Sequence, residues 1–564
     1  MSAVTSVPER IVMLRRPLWI VAILMALALT VQVSRYEGGP LDILFTLSAP
    51  ATFGAILLLL SRRPLFSLIA ATVCVALIFV ISKAKQEAMN MVLHAYDIIF
   101  YFSSWSTIVF LAESYGRSLA MFSASLVTAA LLMIFAWRAD HGRVRRSYAL
   151  VLTICLSLTT FFAAHLRGPL HEATFFTDDR YVSQFFSSLS ETAAVLLRGN
   201  LVEAAPAGGT GASFASSTTC SPATPPPHII LIHQESTVPP SNFPGLAYDH
   251  AIDPFFRSFD GKVRKLRVET YAGASWLSEF SILTGMSSHA FGSMRPYVQS
   301  IMAGKLRDSM PQFLQHCGYS NVLIYPMLRN FVANARFYEK IGLQKVIDAK
   351  DQNAKRPNER DRFYYETALG EIEQHWQTTS APIFMYIQTQ ASHAEYNFTF
   401  EPNEKVSGGG PGTDPEVHEY LRRLGLAAKD YGYLKGELAR RFPKERFLIV
   451  NYGDHHPHIT RRLLGLEEYQ GTLSMERHQP AFVTYYSIDG VGYTPIPLPD
   501  VDLMDVPYLS VAVLEAAGLP LPESYQERRR LMVVCKGKYH GCEQRKQILA
   551  FHRRLLNSNM IDRF

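Results

Sequence analysis

Four residues in the second half of the chain have types and positions suited to chemistry: Glu235, Ser275, Asp454 and His455. Each follows a short apolar run or lies in the small-residue loop beyond one. If they converge at strand ends, a carboxylate, a hydroxyl and an acid–imidazole pair would hold one divalent cation against an oxygen nucleophile, as phosphoryl transfer needs. The first run ends in His233-Gln234-Glu235-Ser236, which puts a carboxylate at a strand exit. A later run ends in Asn451-Tyr452-Gly453-Asp454-His455-His456-Pro457-His458, where Asp and His suit zinc or manganese and Gly453 allows a sharp backbone turn. Ser275 follows Tyr271-Ala272-Gly273-Ala274 and opens a helical pattern running through Leu283. A serine at a helix N-terminus meets N–H groups and a dipole that favour anionic oxygen, and a metal on its Oγ would generate the alkoxide without a histidine base. Each residue also has an ordinary reading: Glu235 as a turn residue, Ser275 as an N-cap, the histidines as a solvated loop.

The elements that must position them alternate in type. His228–His233, Asn321–Tyr325, Pro382–Gln388, Arg446–Tyr452 and Ala481–Tyr486 read as strands, several apolar on both faces. Helical patterns lie between them at Leu306–Cys317, Tyr365–Gln374 and Glu416–Arg441. This order predicts an α/β domain with a largely parallel sheet flanked by helices, in which ligands bind beyond the carboxyl ends of the strands.

The first half differs in kind. Of 564 residues, 48% are hydrophobic, and apolar runs crowd the first 170. Pro17–Ser34, Leu41–Leu60, Pro64–Ser82, Leu119–Trp137 and Tyr148–His165 each approach the ~20 residues that cross a bilayer core. The first has no small-residue cleavage site and more spans follow it, so it does not read as a signal peptide. Met91–Ala112 is apolar but carries His94 and Asp97. Counting it as a sixth span would strand the basic cluster of Arg138, Arg143, Arg145 and Arg146 outside. With five spans that cluster joins Arg10, Arg15 and Arg16 and the Arg62–Arg63 pair on the cytoplasmic side. We therefore expect an interfacial or re-entrant segment at 91–112 and a chain that emerges on the outer face.

The expected organisation is a multi-pass helical membrane domain (1–167), amphipathic segments and a Pro/Ala/Ser/Gly-rich linker (168–227), an extracytoplasmic α/β domain (228–525) and a basic tail (526–564). The linker would hold the soluble domain away from the bilayer without fixing its angle. The tail, with Arg528, Arg529 and Arg530, reads as a solvated helix. A net charge of +6, gathered beside apolar segments, speaks of membrane topology and not of nucleic acid. Among six cysteines, Cys74 and Cys155 fall inside spans, and Cys535 and Cys542 can form a disulfide if the tail faces an oxidising compartment.

The residues also follow a known order. A strand ends in Glu235-Ser236, Ser275 precedes Ser278-Glu279-Phe280, a strand is followed by Ser392-His393, and Asp454-His455 follows a late strand. In this the soluble half resembles the sulfatase-like branch of the alkaline-phosphatase superfamily, most closely lipoteichoic acid synthases and phosphoglycerol transferases, with phosphoethanolamine transferases as near relatives. The likeness extends over about residues 228–520 and to the five-span membrane half. It implies that Glu235, Ser275, Asp454 and His455 bind a divalent metal (manganese favoured, zinc or magnesium possible), with Ser275 also the nucleophile. It implies that His393 contacts the phosphoryl group or protonates the leaving alcohol. His478 resembles a histidine near the metal in the phosphoethanolamine-transferase relatives, His456 is a further candidate for a second metal or substrate, and Arg329, Asp361 and Arg362 fall where the synthases line their substrate pocket. The synthases commonly use threonine where Ser275 stands, and the hydroxyl is equivalent. Sulfatases need proline and arginine two and four places after the nucleophile for formylglycine formation; Leu277 and Glu279 stand there, which disfavours sulfate-ester hydrolysis.

The resemblance implies a bacterial inner-membrane transferase that moves a phospholipid head group to an envelope glycan, lipid or polymer. Its rivals are a phosphoethanolamine transferase, a phosphodiesterase, and a membrane-anchored binding or sensing protein with a degenerate pocket.

Overall fold

The computed structural model describes residues 9–89, 91–98, 108–109, 112, 116–167, 179–199, 201–206, 213–215, 220–222, 224–329, 331, 334–406, 414–469, 473–498 and 501–562. Chain contacts divide it into two compact units, Met1–Leu197 and Arg198–Phe564.

Among the described residues of the first unit, five helices are long and apolar enough to cross a membrane: Pro17–Ser34, Pro40–Ser61, Pro64–Glu87, Leu119–Ala139 and Arg146–Arg167, with mean hydropathy from 2.0 to 2.7. Leu24, Leu131 and Phe161 point outward from these helices, as lipid-facing side chains must. Thr52 and Thr160 meet across two of them at 2.9 Å, a polar contact of the kind that holds helices together in a bilayer. Of the expected interfacial segment, residues 91–97 are buried and 98 is exposed, and most of 99–112 lies outside the described residues. Lys85 ties this segment down through Asp97 at 2.8 Å.

Among the described residues the second unit is built on one eight-stranded sheet in the order β4-β3-β5-β1-β6-β7-β2-β8. The strands are β1 (His228–Gln234), β2 (Arg264–Arg267), β3 (Ser320–Ile324), β4 (Lys345–Ile347), β5 (Ile383–Gln388), β6 (Phe447–Gly453), β7 (Val483–Val491) and β8 (Met504–Asp505). From β4 to β6 all neighbours run parallel, and β7 then pairs antiparallel with both β6 and β2. β1, β5 and β6 are buried along their whole length, which explains their unbroken apolar runs. Helices Asp361–Thr378 and Pro415–Arg441 cover one face through Tyr365, Leu369, Leu421, Leu424 and Leu434.

Two expectations about the periphery are corrected. The described parts of the linker are not a free spacer: Glu203 N–H donates to Ala290 O, Phe214 is buried against Phe551, and Cys220 is disulfide-bonded to Cys317. The basic tail is not solvated throughout, for its helices Glu523–Val534 and Arg545–Asn557 pack into the domain. Arg528 is fully buried, donating to Gly285 O and Thr284 O and pairing with Asp308 at 2.8 Å. Cys535 and Cys542 do form a disulfide.

Candidate active site and metal centre

β1 and β6 are paired so that Gln234 lies opposite Gly453, and the next residues, Glu235 and Asp454, leave the sheet side by side. Gly453 is needed here for room and not for the turn expected of it: a Cβ at this position would lie 1.9 Å from Thr237 O. A Gly453→Ala substitution must therefore displace the β1 exit. It should cost stability and weaken metal retention at least tenfold, read by thermal unfolding and by metal content after gel filtration.

Ser275 arrives from another direction. Ala272, Gly273 and Ala274 all have positive φ (57°, 144° and 61°), a run of left-handed backbone tolerated because these side chains are small or absent. Ala272 N–H donates to His456 O at 2.9 Å and Thr270 Oγ1 to Gly273 O at 2.6 Å, which hold the loop in place. Ser275 is the first residue of the helix Ser275–Thr284, and Ala274 occupies the cap position, so the serine side chain does not cap the helix. The Ser278-Glu279-Phe280 sequence then anchors that helix. Ser278 Oγ donates to Asp454 O at 2.7 Å, Glu279 accepts from Gln299 and Tyr338, and Phe280 is buried in the core.

The four side chains meet. Ser275 Oγ lies 3.0 Å from Glu235 Oε2 and 3.2 Å from His455 Nε2. His455 Nε2 is in turn 3.3 Å from Glu235 Oε1 and 3.2 Å from Asp454 Oδ2. Glu235, Asp454 and His455 are buried, while Ser275 is half-buried and open to a substrate. Second contacts orient each donor. Asp454 Oδ1 accepts the N–H groups of Ser236 and His455, both at 2.8 Å, which leaves Oδ2 directed into the cluster. Nδ1–H of His455 donates to His456 O at 2.9 Å, so Nε2 presents its lone pair. Burial opposes ionisation of Asp454, but the His455 and His233 imidazoles outweigh it and hold its carboxyl well below the usual range. Two carboxylates, an imidazole and a hydroxyl packed this closely fit a divalent cation, and the mixed O/N set suits manganese, zinc or magnesium.

His233 is a site residue that the sequence reading took only as the end of a strand. With Glu235 and Asp454 it forms a group whose donor atoms lie within 4.8 Å of one another. Its Nε2 is 3.1 Å from Asp454 Oδ2, and its Nδ1 faces the hydroxyls of Tyr452 at 3.0 Å and Tyr386 at 3.2 Å. Burial alone would lower its pKa, yet Asp454, with Glu279 and Glu235 behind it, carries it up to about 9. The signal was the two-residue period of β1, which puts His233 and Glu235 on one face.

Residues 266–488 match the family model described as Sulfatase, a span that includes Ser275, His393, Asp454 and His455. That match covers less than half of the chain. An uncharacterised protein of Haemophilus influenzae is 23% identical over 245 residues, which is 41% of this chain and 44% of that protein, so the match spans less than half of that relative. Among solved structures, the Streptococcus pyogenes phosphoglycerol transferase in complex with sn-glycerol-1-phosphate superposes with a TM-score of 0.47 at 18% identity, covering 59% of this chain and 85% of that one. The lipoteichoic acid synthase LtaP from Listeria monocytogenes gives 0.39 at 16% identity, covering 52% and 72%. The C-terminal periplasmic domain of EptC from Escherichia coli gives 0.37 at 12% identity, covering 57% and 89%.

The remaining candidates take varied places in the second unit. His393 is exposed on the loop after β5, which leaves the sheet beside β1, with Thr389 N–H donating to His233 O at 3.0 Å. His456 is held by the protein itself. It is buried, with Nε2 2.8 Å from Val483 O and Nδ1 3.2 Å from Thr460 Oγ1, and burial lowers its pKa to about 4. His478 accepts Ser474 N–H at 3.1 Å and lies against Tyr469, outside the cluster. Asp361 is buried beneath the His393 loop, accepting Ala391 N–H at 3.1 Å, and burial together with Asp430 pushes its carboxyl up to about 7. Arg362 stacks on Tyr433, and Arg329 donates to Val346 O. The side chains of Arg329 and Arg362 stay open to solvent, whereas Asp361 is buried.

Proposed function

We propose that this protein is a membrane-anchored, metal-dependent transferase that moves a phospholipid head group, of the phosphoglycerol type, through a covalent phosphoserine to an envelope glycan, lipid or polymer. The observation that carries this reading is the meeting of Ser275 Oγ with Glu235 and His455, and of His455 with Asp454, at 3.0–3.3 Å. Glu235, Ser275, Asp454 and His455 would hold the cation, which when bound lowers the pKa of the Ser275 hydroxyl and offsets charge on the phosphoryl oxygens.

Ser275 Oγ already donates to Glu235 Oε2, so its proton departs along an existing hydrogen bond as the Oγ–P bond forms. The P–O bond to diacylglycerol breaks, and His393 on its exposed loop supplies a proton to the departing oxygen. In the second step an acceptor hydroxyl attacks the phosphoserine and passes its proton to His393, the Oγ–P bond breaks, and the proton held at Glu235 returns to Oγ and regenerates Ser275. The five membrane-capable helices support a donor taken from the bilayer. The Cys220–Cys317 and Cys535–Cys542 disulfides support an extracytoplasmic catalytic domain, in a bacterial inner membrane on this reading.

Full-length protein in detergent, given phospholipids labelled in the glycerol or the ethanolamine head group, tests the reading. Label should pass from phosphatidylglycerol to the protein and then to an added acceptor. Label released only to water would assign a phosphodiesterase, and preferential use of phosphatidylethanolamine would assign the other transferase. A chelator should lower turnover by at least a hundredfold, and adding back manganese, zinc or magnesium in turn should restore it and rank the ions.

A further inference from the structure

A second site lies in the membrane unit, far in sequence from the serine. A cavity of about 360 Å³ is lined by Arg63, Trp137, Arg138, Asp140, His141 and Arg143. It is formed by the corner joining helix Pro40–Ser61 to Pro64–Met89 and the corner joining Gly116–Ala139 to Arg146–Arg167. The two corners are bonded to each other: Val144 N–H donates to Arg62 O at 3.0 Å, and Arg62 Nε to Val144 O at 3.1 Å.

The charges in the cavity are not balanced. Its one carboxylate, Asp140, is buried and engaged by backbone, with Oδ2 accepting Phe66 N–H at 2.9 Å and Oδ1 accepting Gly142 N–H at 2.8 Å. Arg63 lies over the Trp137 ring at 4.1 Å and donates to Trp137 O and Asp140 O, so its position is set without a counter-charge. No carboxylate among the described residues pairs with Arg63, Arg138 or Arg143. Other arginines of the chain are matched to an acid, as Arg167 is in the same unit and Arg267, Arg360, Arg423, Arg441 and Arg528 are in the second. Topology alone asks only for positive residues near helix ends, not for three arginines lining one cavity whose single acid is already bound by backbone N–H groups.

We propose that this cavity binds the phosphate of an anionic phospholipid. Three guanidiniums suit a phosphodiester, and the corner lies at the ends of four spanning helices, which is head-group depth, with Trp137 at the interface. A zwitterionic head group brings a cation into the same positive field and binds less well. The inference does not depend on the chemistry at Ser275.

Native mass spectrometry of the full-length protein in a neutral detergent tests it, with phosphatidylglycerol, phosphatidylcholine or inorganic phosphate added. The wild type should retain one phosphatidylglycerol at concentrations where phosphatidylcholine is lost. An Arg138→Gln/Arg143→Gln variant should weaken that retention about thirtyfold, from roughly one kcal/mol for each arginine. Arg145→Gln/Arg146→Gln, which removes equal charge from the same face outside the cavity, should leave it unchanged. Arg138→Lys/Arg143→Lys keeps the charge and should retain the lipid, which guards against a misfolded first variant. Equal retention of both lipids, or equal losses in the cavity and control variants, would overturn the site. Displacement of the lipid by ten-millimolar inorganic phosphate would keep the anion site but overturn its assignment to lipid.

Discussion

Ser275→Ala will abolish covalent labelling from a head-group-labelled phospholipid and lower turnover by on the order of 10⁴-fold or more, the scale seen when a nucleophile is removed. The fold should survive. Ser275 is half-buried at the start of its helix, does not cap it, and leaves Ser278, Glu279 and Phe280 to hold that helix in place. The cation should also remain, less tightly, because Glu235, Asp454 and His455 still converge with their second contacts intact. Ser275→Thr is the informative companion: it restores a hydroxyl at the same place and should recover labelling within about a hundredfold. Turnover by the alanine variant at the wild-type rate would remove serine from the mechanism, whatever the metal does. Loss of metal together with loss of label would instead mean that the serine is chiefly a ligand.

The parts of this site that were legible in the sequence are those whose chemistry and local pattern coincide. Glu235 and Asp454 stand at the ends of fully buried strands, and such strands announce themselves as unbroken apolar runs. Ser275 is preceded by residues small enough for left-handed backbone. What escaped notice needed the third dimension. β2, β4 and β8 are four, three and two residues long, too short for a period to show. His233 was hidden inside the run that revealed its neighbour. His456 looked like its neighbour His455, yet the loop turns it into the protein against Val483 O. Arg528 stands in a basic run that reads as solvated, because charge says nothing about which helix face will be covered. Cys220 and Cys317 are 97 residues apart, and pairing at that distance is a property of the fold. The five apolar helices found among the described residues were legible because a bilayer sets one length and one composition.

Arg423 should prove the most costly single side chain to remove from the second unit. It lies in helix Pro415–Arg441, is fully buried, and pairs through Nε with Glu419 Oε1 at 2.9 Å. Its other nitrogens reach the loop after β5, with Nη1 donating to His393 O at 2.6 Å and Nη2 to Glu395 O at 2.8 Å. Tyr396, Phe398 and Phe400 surround the guanidinium at 4.9–5.2 Å. A planar fork with five donors does this; an ammonium or a thioether does not. Arg423→Met fills much of the volume but leaves the loop carbonyls without their donor and Glu419 with only Arg422 and the Phe400 N–H, and should cost about 3–5 kcal/mol in thermal or denaturant unfolding. Arg423→Lys should fold, bind metal and label Ser275, yet lower turnover about tenfold and change its pH profile, because the loop carrying His393 is no longer held from below. That pattern separates a residue that positions the proton donor from one that only stabilises the domain. A lysine variant with wild-type melting, turnover and pH profile would show that the His393 loop holds its place without the clamp.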